Sequence, residues 1–288
     1  MAGEQTRAAI AAQPEWLAQV PTDRRFPDAR LLFTGCGTSF HAAQTGGEAV
    51  QALELVLRPQ RDAEVLVVVS HEGDTGMTLE AARVWDGPRW LITGKPDSPL
   101  GELCEEVVVA TPAIEESWCH SASYTCAVAT IAACRGEDVS WLPDAVAAAL
   151  EESEPVSGHE RFLIAGAGRD WPTAQEAALK LREGAFVAAE GYETEQLLHG
   201  YLAAVDETVR CFVFEGEGRA GERAGDAAAA LRELGCETTL VETVHPVVDV
   251  IRFQQLAADL AEHRGVNPDR IHRDDPRWKA AADAAKAG

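Results

Sequence analysis

The sequence predicts an α/β protein built on parallel sheets covered by helices on both faces, and three observations predict it. Short apolar runs of strand length alternate with alanine-rich helical stretches. A strand that runs into glycines and then into a helix occurs twice, at Leu31-Leu32-Phe33-Thr34-Gly35-Cys36-Gly37-Thr38-Ser39 and at Phe162-Leu163-Ile164-Ala165-Gly166-Ala167-Gly168-Arg169, which implies internal duplication. A chain of 288 residues, 46% of them apolar, is also long enough for two ordinary domains with a core in each.

Taken in order, Leu31 to Thr34 reads as the first strand, and Val65 to Ser70, a β-branched run, as the second. Trp90 to Thr93 and Val107 to Ala110 follow. Short apolar runs bounded by turn residues suit strands buried on both faces. In the second half, Phe162 to Ala165, Arg210 to Phe214 and Thr238 to Val241 repeat the pattern. Helical patterns lie between them at Thr78 to Val84, Ser121 to Cys134, Pro172 to Ala189, Gly225 to Leu234 and Val247 to His263. The acidic segment Leu142 to Gly158 carries Pro143, Pro155 and Gly158 and reads as a connecting helix with the linker. The expected domains are residues 1–150 and 151–288.

Composition narrows the function. With 47 acidic against 25 basic residues, the net charge of -22 opposes a nucleic-acid backbone and an anionic membrane. No apolar run approaches a membrane span and the opening residues lack the features of a signal peptide, so the expected location is the cytoplasm. Seven cysteines without paired two-residue spacing indicate neither a disulfide framework nor a zinc site, and no metal is expected. Lys95, Lys180, Lys279 and Lys286 are the only lysines.

The chemistry-bearing candidates begin with the turn Cys36-Gly37-Thr38-Ser39. It fits neither the dinucleotide fingerprint nor a phosphate loop with its lysine, so no cofactor is expected. Such a turn presents backbone N–H groups and a helix N-terminus at the carboxyl edge of a sheet, where polar or anionic ligands bind. By itself it is equally a tight structural turn. A second hydroxyl-rich turn, Ser70-His71-Glu72-Gly73-Asp74-Thr75, follows the next strand and opens a helix. Two neighbouring strands would then end in loops rich in hydroxyls and backbone donors.

These motifs carry a family resemblance. The chain resembles the isomerase half of glutamine:fructose-6-phosphate aminotransferase and its stand-alone tandem sugar isomerase (SIS) relatives, including fructosamine-phosphate deglycases. The family reads G-C-G-T-S where this chain has Gly35 to Ser39, and S-Q-S-G-E-T where it has Ser70 to Thr75. The start, Met1 with Glu4 and Gln13-Pro14, is similar to the family's opening helix. No glutaminase segment precedes the match, so ammonia from glutamine is not expected to be this chain's own supply. The resemblance implies two three-layer αβα SIS domains with flavodoxin-like parallel sheets and, as the family's habit, a homodimer with sites at the subunit interface.

The longest match is Glu176-Ala177-Ala178-Leu179-Lys180-Leu181-Arg182-Glu183, similar to the family's E-G-A-L-K-L-K-E. Read from spacing, Glu176, Lys180 and Glu183 share one helix face, opposite Ala174, Ala177, Ala178, Leu181 and Ala185. Taken alone, that is an amphipathic helix with a solvated, ion-paired face. The resemblance implies instead that the charged face points into a sugar site, with Glu183 as the base that moves a proton between C1 and C2, and Lys180 and Glu176 in support. His199 in Leu198-His199-Gly200 matches the histidine that opens the sugar ring, a role suited to a pKa near neutrality. Lys279 in Asp275-Pro276-Arg277-Trp278-Lys279 faintly resembles a tail lysine that forms a Schiff base, against a plain exposed tail lysine.

Departures accompany the match. Gln196, Leu198 and Tyr201 replace the family's glutamate, lysine and proline around His199, and Ala122 stands where a lysine would sit in the loop from Ser117 to Tyr124. Glu72 occupies the place of a phosphate-binding serine. Either it caps the following helix, or the ligand lacks a full phosphate there. The expected ligand is a sugar phosphate or an amino sugar held by the Gly35 loop, the Ser70 loop and the Glu176 to Glu183 helix. The expected reaction is aldose–ketose isomerisation, with deglycation of a sugar–amine adduct and non-catalytic sugar-phosphate sensing as rivals.

Overall fold

The computed structural model describes residues 2–285; Met1, part of the opening signature, and Lys286 lie outside them. After α1 (Glu4–Leu17), the first half runs β1 (Leu31–Gly35), α2 (Thr38–Gln44), β2 (Ala49–Gln51), α3 (Ala52–Leu57), β3 (Val65–Val69), α4 (Gly76–Val84), β4 (Arg89–Thr93), β5 (Glu106–Val109), α5 (Ala122–Arg135) and α6 (Leu142–Leu150). The second half runs β6 (Arg161–Gly166), α7 (Trp171–Ala185), β7 (Ala188–Glu193), α8 (Thr194–Leu198), β8 (Val209–Phe214), α9 (Arg219–Glu233), β9 (Thr238–Val241), α10 (Pro246–Asp249), α11 (Ile251–Arg264) and α12 (Pro276–Ala285).

Two parallel sheets result, ordered β2-β1-β3-β4-β5 and β7-β6-β8-β9. Their strands read as unbroken apolar runs because alternate residues are buried on opposite faces. In the first sheet, Leu32, Leu66 and Val68 pack with Ala52, Leu55 and Ala81 under α3 and α4. Phe33, Val67 and Val69 point the other way, toward Tyr124, Val128 and Ile131 of α5. The second sheet divides likewise, with Phe162, Ile164 and Phe212 facing α7 and α11, and Leu163, Cys211 and Val213 facing α9. Among the described residues, no helix is long and apolar enough to cross a membrane.

All seven expected strands form, and the corrections concern what lies between them. The helix expected over Pro172 to Ala189 stops at Ala185, because Phe186 turns left-handed at φ 57° and the chain from Ala188 pairs with β6. The helix expected from Val247 to His263 breaks at Val250 into α10 and α11. The expected Gly225 start lies inside α9, which begins six residues earlier at Arg219.

A buried polar network joins the halves. The Gln13 amide donates to Gln254 Oε1 (2.8 Å), Thr125 Oγ1 donates to Gln13 Oε1 (2.7 Å), and the Gln254 amide donates to the Ser121 carbonyl (3.2 Å). Each of these side chains is buried, so an unmade bond would cost its full desolvation. The network fixes α1, α5 and α11 together, which sets α7 against α2.

Candidate functional site

The site is assembled where α7 of the second half meets the carboxyl edge of the first sheet. Gly35 ends β1 where a Cβ would lie 2.9 Å from the Ser39 backbone, so only glycine permits the tight reversal into α2. Gly37 follows at φ 56°, and α2 opens at Thr38 with Thr38 and Ser39 half-buried. Cys36 is half-buried behind the turn, within 3.5 Å of the Thr78 hydroxyl. Because β1 pairs with β3, the Ser70 loop is this turn's neighbour.

The Ser70 loop is held by its own backbone. Ser70 Oγ accepts the Gly73 N–H (3.2 Å), and the His71 carbonyl accepts the Gly94 N–H (2.9 Å) and the Thr93 hydroxyl (3.0 Å). Gly73 sits at φ 70° with its Cα pressed against Ser98, where a Cβ would come within 2.1 Å of Oγ. The helix does not open directly after Glu72. α4 begins at Gly76 behind Thr75, without a side-chain capping bond, so the capping role considered for Glu72 is not what the structure holds. Glu72 is half-buried, and among the described residues it has no hydrogen-bond partner.

The charged face of α7 is buried, not solvated. Glu176 and Lys180 have side chains with 0% exposure, whereas Glu183 keeps 25%. Lys180 Nζ donates to Glu183 Oε2 (2.8 Å), to the His120 carbonyl (2.8 Å) and to Thr38 Oγ1 (3.3 Å), and lies 3.3 Å from Glu176 Oε1. Glu176 in turn accepts from Thr38 Oγ1 (3.1 Å) and meets His41 Nδ1 at 2.7 Å. Burial acts against both charges, yet it is overcome on each side. Glu176 and Glu183 hold the Lys180 ammonium well above its ordinary pKa, and Lys180 with His41 holds the Glu176 carboxyl below its own.

Two further histidines line the same edge. His71 Nε2 accepts the Glu115 N–H (3.0 Å), which leaves the ring neutral with its proton on Nδ1. Its ring meets His120 edge-on at 5.3 Å. Burial pushes His71 down to about 4, and burial with the neighbouring Lys180 pushes His120 down to about 3. Beneath them lies a cavity of about 20 Å³ lined by Thr38, Ser39, Thr111 and Tyr124 among others. The buried Glu115 carboxylate accepts the N–H groups of Ser121 (2.7 Å) and Ser123 (2.8 Å) at the start of α5.

Linkage gives His71 a measurable signature. Its folded pKa lies below the unfolded value near 6.5, so the unfolded chain takes up the proton first, and stability is lost as pH falls through 6.5 toward 4. At pH 5 this amounts to about 2 kcal/mol. Urea unfolding at pH 7 and pH 5 should therefore show a pH-dependent loss about 2 kcal/mol smaller in His71→Gln than in the native protein. Equal losses in both would mean that the imidazole already takes its proton in the folded state.

Two sequence candidates stay outside this cluster. His199 is 72% exposed at the end of α8, where Nε2 meets Glu195 Oε1 at 2.7 Å and Glu195 is paired with Arg223. Lys279 is exposed on α12. The tail before it does approach α7: His272 stacks on Phe186 at 3.6 Å, and the Arg273 guanidinium lies 3.5 Å over the Trp118 ring. The sequence reading missed His41, His120 and Glu115. The spacing of Thr38 and His41, three apart on α2, was the available signal for the first; His120 and Glu115 belong to a loop whose path only the fold fixes.

Residues 157–244 match the SIS domain family. Among curated proteins, the chain is 27% identical to glutamine–fructose-6-phosphate aminotransferase (isomerizing) of Gloeobacter violaceus over 84% of its own length and 50% of that protein's. It is 30% identical to the enzyme of the same name from Aeropyrum pernix over 64% of this chain and 37% of that one. The chain thus spans about half the length, or less, of these relatives. Among solved structures, tagatose-6-phosphate ketose/aldose isomerase from Escherichia coli superposes with a TM-score of 0.77 at 18% identity, covering 93% of this chain and 95% of that one. Glucosamine-6-phosphate deaminase from Thermotoga maritima gives 0.75 at 21% identity, covering 93% and 97%. The α/β fold with parallel sheets is therefore that of SIS-domain structures, and the second half carries the matched SIS segment.

Proposed function

We propose that this chain transfers a proton between C1 and C2 of an aldose or ketose, an (amino)sugar phosphate or a close relative, at the junction of α2, α7 and the Ser70 loop. The observation that carries the reading is the unequal burial of the α7 triad. Glu176 and Lys180 are sealed, and Glu183 alone reaches solvent while touching the ammonium. In the reaction, Glu183 removes the proton on the carbon beside the carbonyl. The C–H electrons form the enediolate double bond while the carbonyl electrons move onto its oxygen near Lys180, the proton of the neighbouring hydroxyl passes to that oxygen, and the proton held by Glu183 returns to the former carbonyl carbon as the new carbonyl forms. Glu176 acts on position, holding Lys180, Thr38 and His41 by the bonds already described.

The finer parts of the reading follow from the family resemblance and the relatives' names, which speak of fructose 6-phosphate, glucosamine 6-phosphate and tagatose 6-phosphate. The first sheet, with its own glycine turn, would be a second SIS domain, divided from the other near residue 150. His199, exposed and paired with Glu195 outside the cluster, would serve ring opening if a second copy brought it to the site, which ties its role to a homodimer. The test is solvent exchange: sugars and sugar phosphates incubated with the protein in deuterated water, with C1 and C2 followed by NMR. Deuterium uptake is expected. A sugar that binds without any uptake would sink the catalytic reading and leave a sugar sensor.

A further inference from the structure

A second cavity, of about 380 Å³ and lined by none of the α7 triad, lies between α6 with the segment that follows it and the β9 to α11 part of the second half. Ala145, Ala148 and Ala149 of α6 with Val241, Val244 and Val248 give it an apolar lining. Asp249, Arg252 and Gln255, spaced three apart along α10 and α11, line it too, and each has hydrogen-bonding capacity left unmet. Asp249 is 7% exposed. Its Oδ1 accepts the N–H groups of Val244 (2.9 Å) and His245 (3.3 Å), whereas Oδ2 is buried without a partner among the described residues. Burial pushes this carboxyl up to about 6, so at pH 7.5 it is charged. Gln255 donates its amide N–H to the Leu150 carbonyl at the end of α6 (2.8 Å), and the Oε1 that this leaves is also buried and unpaired. Arg252, 33% exposed, makes no hydrogen bond among the described residues. Its ion-pair partner, Glu154 Oε2, is 3.8 Å away, and Glu154 is held instead by Arg210 at 2.7 Å. The rest of the lining is Glu152, Ser153 and Glu242, all exposed, and Arg169 reaches the rim to donate to the Val244 carbonyl (2.7 Å).

We propose that this cavity binds an aliphatic α-amino acid, its carboxylate on Arg252, its ammonium on Asp249 and Gln255 Oε1, and its side chain against the alanines and valines. A buried carboxylate oxygen and a buried amide oxygen both call for donors, since an unmet acceptor costs its desolvation. A guanidinium without a hydrogen bond calls for an anion that its fork can hold. A zwitterion answers both at once and brings no net charge past Glu152 and Glu242. A sugar phosphate would also meet Arg252, but its dianion would face Asp249, Glu152 and Glu242, and its hydroxyls would lie on an apolar wall. The volume is that of a small-ligand site, and such sites gather where domains meet.

Melting curves and calorimetric titration test this with three probes: L-leucine, 4-methylpentanoate, which lacks the amine, and 3-methylbutylamine, which lacks the carboxylate. Leucine should raise the melting point of the native protein and bind about ten-fold more tightly than either single-charge analogue. Arg252→Gln removes a cation that bonds nothing in the protein, and Asp249→Asn keeps the acceptor for Val244 and His245; each should weaken leucine about ten-fold. Ala148→Phe, which fills the space from the α6 side, should abolish leucine binding. Should Asp249→Asn fail to fold, the other two variants carry the test. No melting shift with leucine at millimolar concentration would overturn the proposal, as would analogues that bind as tightly as leucine or leucine bound equally well by the variants. Fructose 6-phosphate bound more tightly than leucine, and lost in Arg252→Gln, would make the cavity a phosphate site and overturn it too.

Discussion

Glu183→Gln is expected to leave the fold and sugar binding in place and to slow C1–C2 proton exchange by about 10²-fold or more, the scale of a lost general base. The substitution keeps the side chain's length and an oxygen that can accept from Lys180 Nζ, at present 2.8 Å away. What it removes is the group that takes a proton. Of the two carboxylates of α7, this is the position where that loss reaches the ligand, because Glu176 has no exposure and is already engaged by Thr38 and His41. The measurement pairs the rate of deuterium uptake at C1 and C2 with calorimetric binding and a melting curve. A variant that binds, melts as the native protein does and still exchanges at the native rate would remove Glu183 from the chemistry.

The strands were legible because a sheet covered on both faces must be written in consecutive apolar residues, as at Val65 to Val69 and Phe162 to Ala165. Two strands were not. β2 is three residues long, half-buried at the sheet edge, and carries no apolar run to announce it. β7 reads Ala-Ala-Glu-Gly-Tyr-Glu, a composition that continues the alanine-rich pattern of α7. Only the left-handed turn at Phe186 separates them, and a non-glycine residue there gives no sequence signal.

The candidate site was legible to a lesser degree. Spacing placed Glu176, Lys180 and Glu183 on one face of α7, but the same spacing describes a solvated face with i,i+4 pairs. The difference lies in what covers that face: Thr38 and His41 of α2, 138 and 135 residues from Glu176, and the carbonyl of His120, 60 residues from Lys180. His199 and Lys279 show the converse. Their local motifs resemble those of the family, while their exposure within this chain leaves them without the contacts that a role in this cluster requires. Glu72 was legible as a break in a pattern, and the structure added the fixed loop and the lack of a partner.

Lys180→Met should destabilise the protein by about 3–5 kcal/mol, the cost of removing one member of a buried ion pair, even though methionine fills nearly the same volume. The reason is the charge left behind. Without the ammonium, Glu176 remains a sealed carboxylate held only by the Thr38 hydroxyl and His41, and desolvation then dominates its environment. Its pKa should rise above that of the unfolded chain, so the folded variant binds a proton that the unfolded chain releases. The variant's deficit should accordingly shrink as pH falls from 8 to 5. Adding Glu176→Gln removes the orphaned charge and should recover much of the loss, which keeps the argument testable even where the single variant is too unstable to purify. Urea unfolding of the native protein, the single variant and the double variant at both pH values supplies the comparison. A single variant within about 1 kcal/mol of native at pH 7 would show that water reaches Glu176 after all, because an exposed ion pair contributes no more than that.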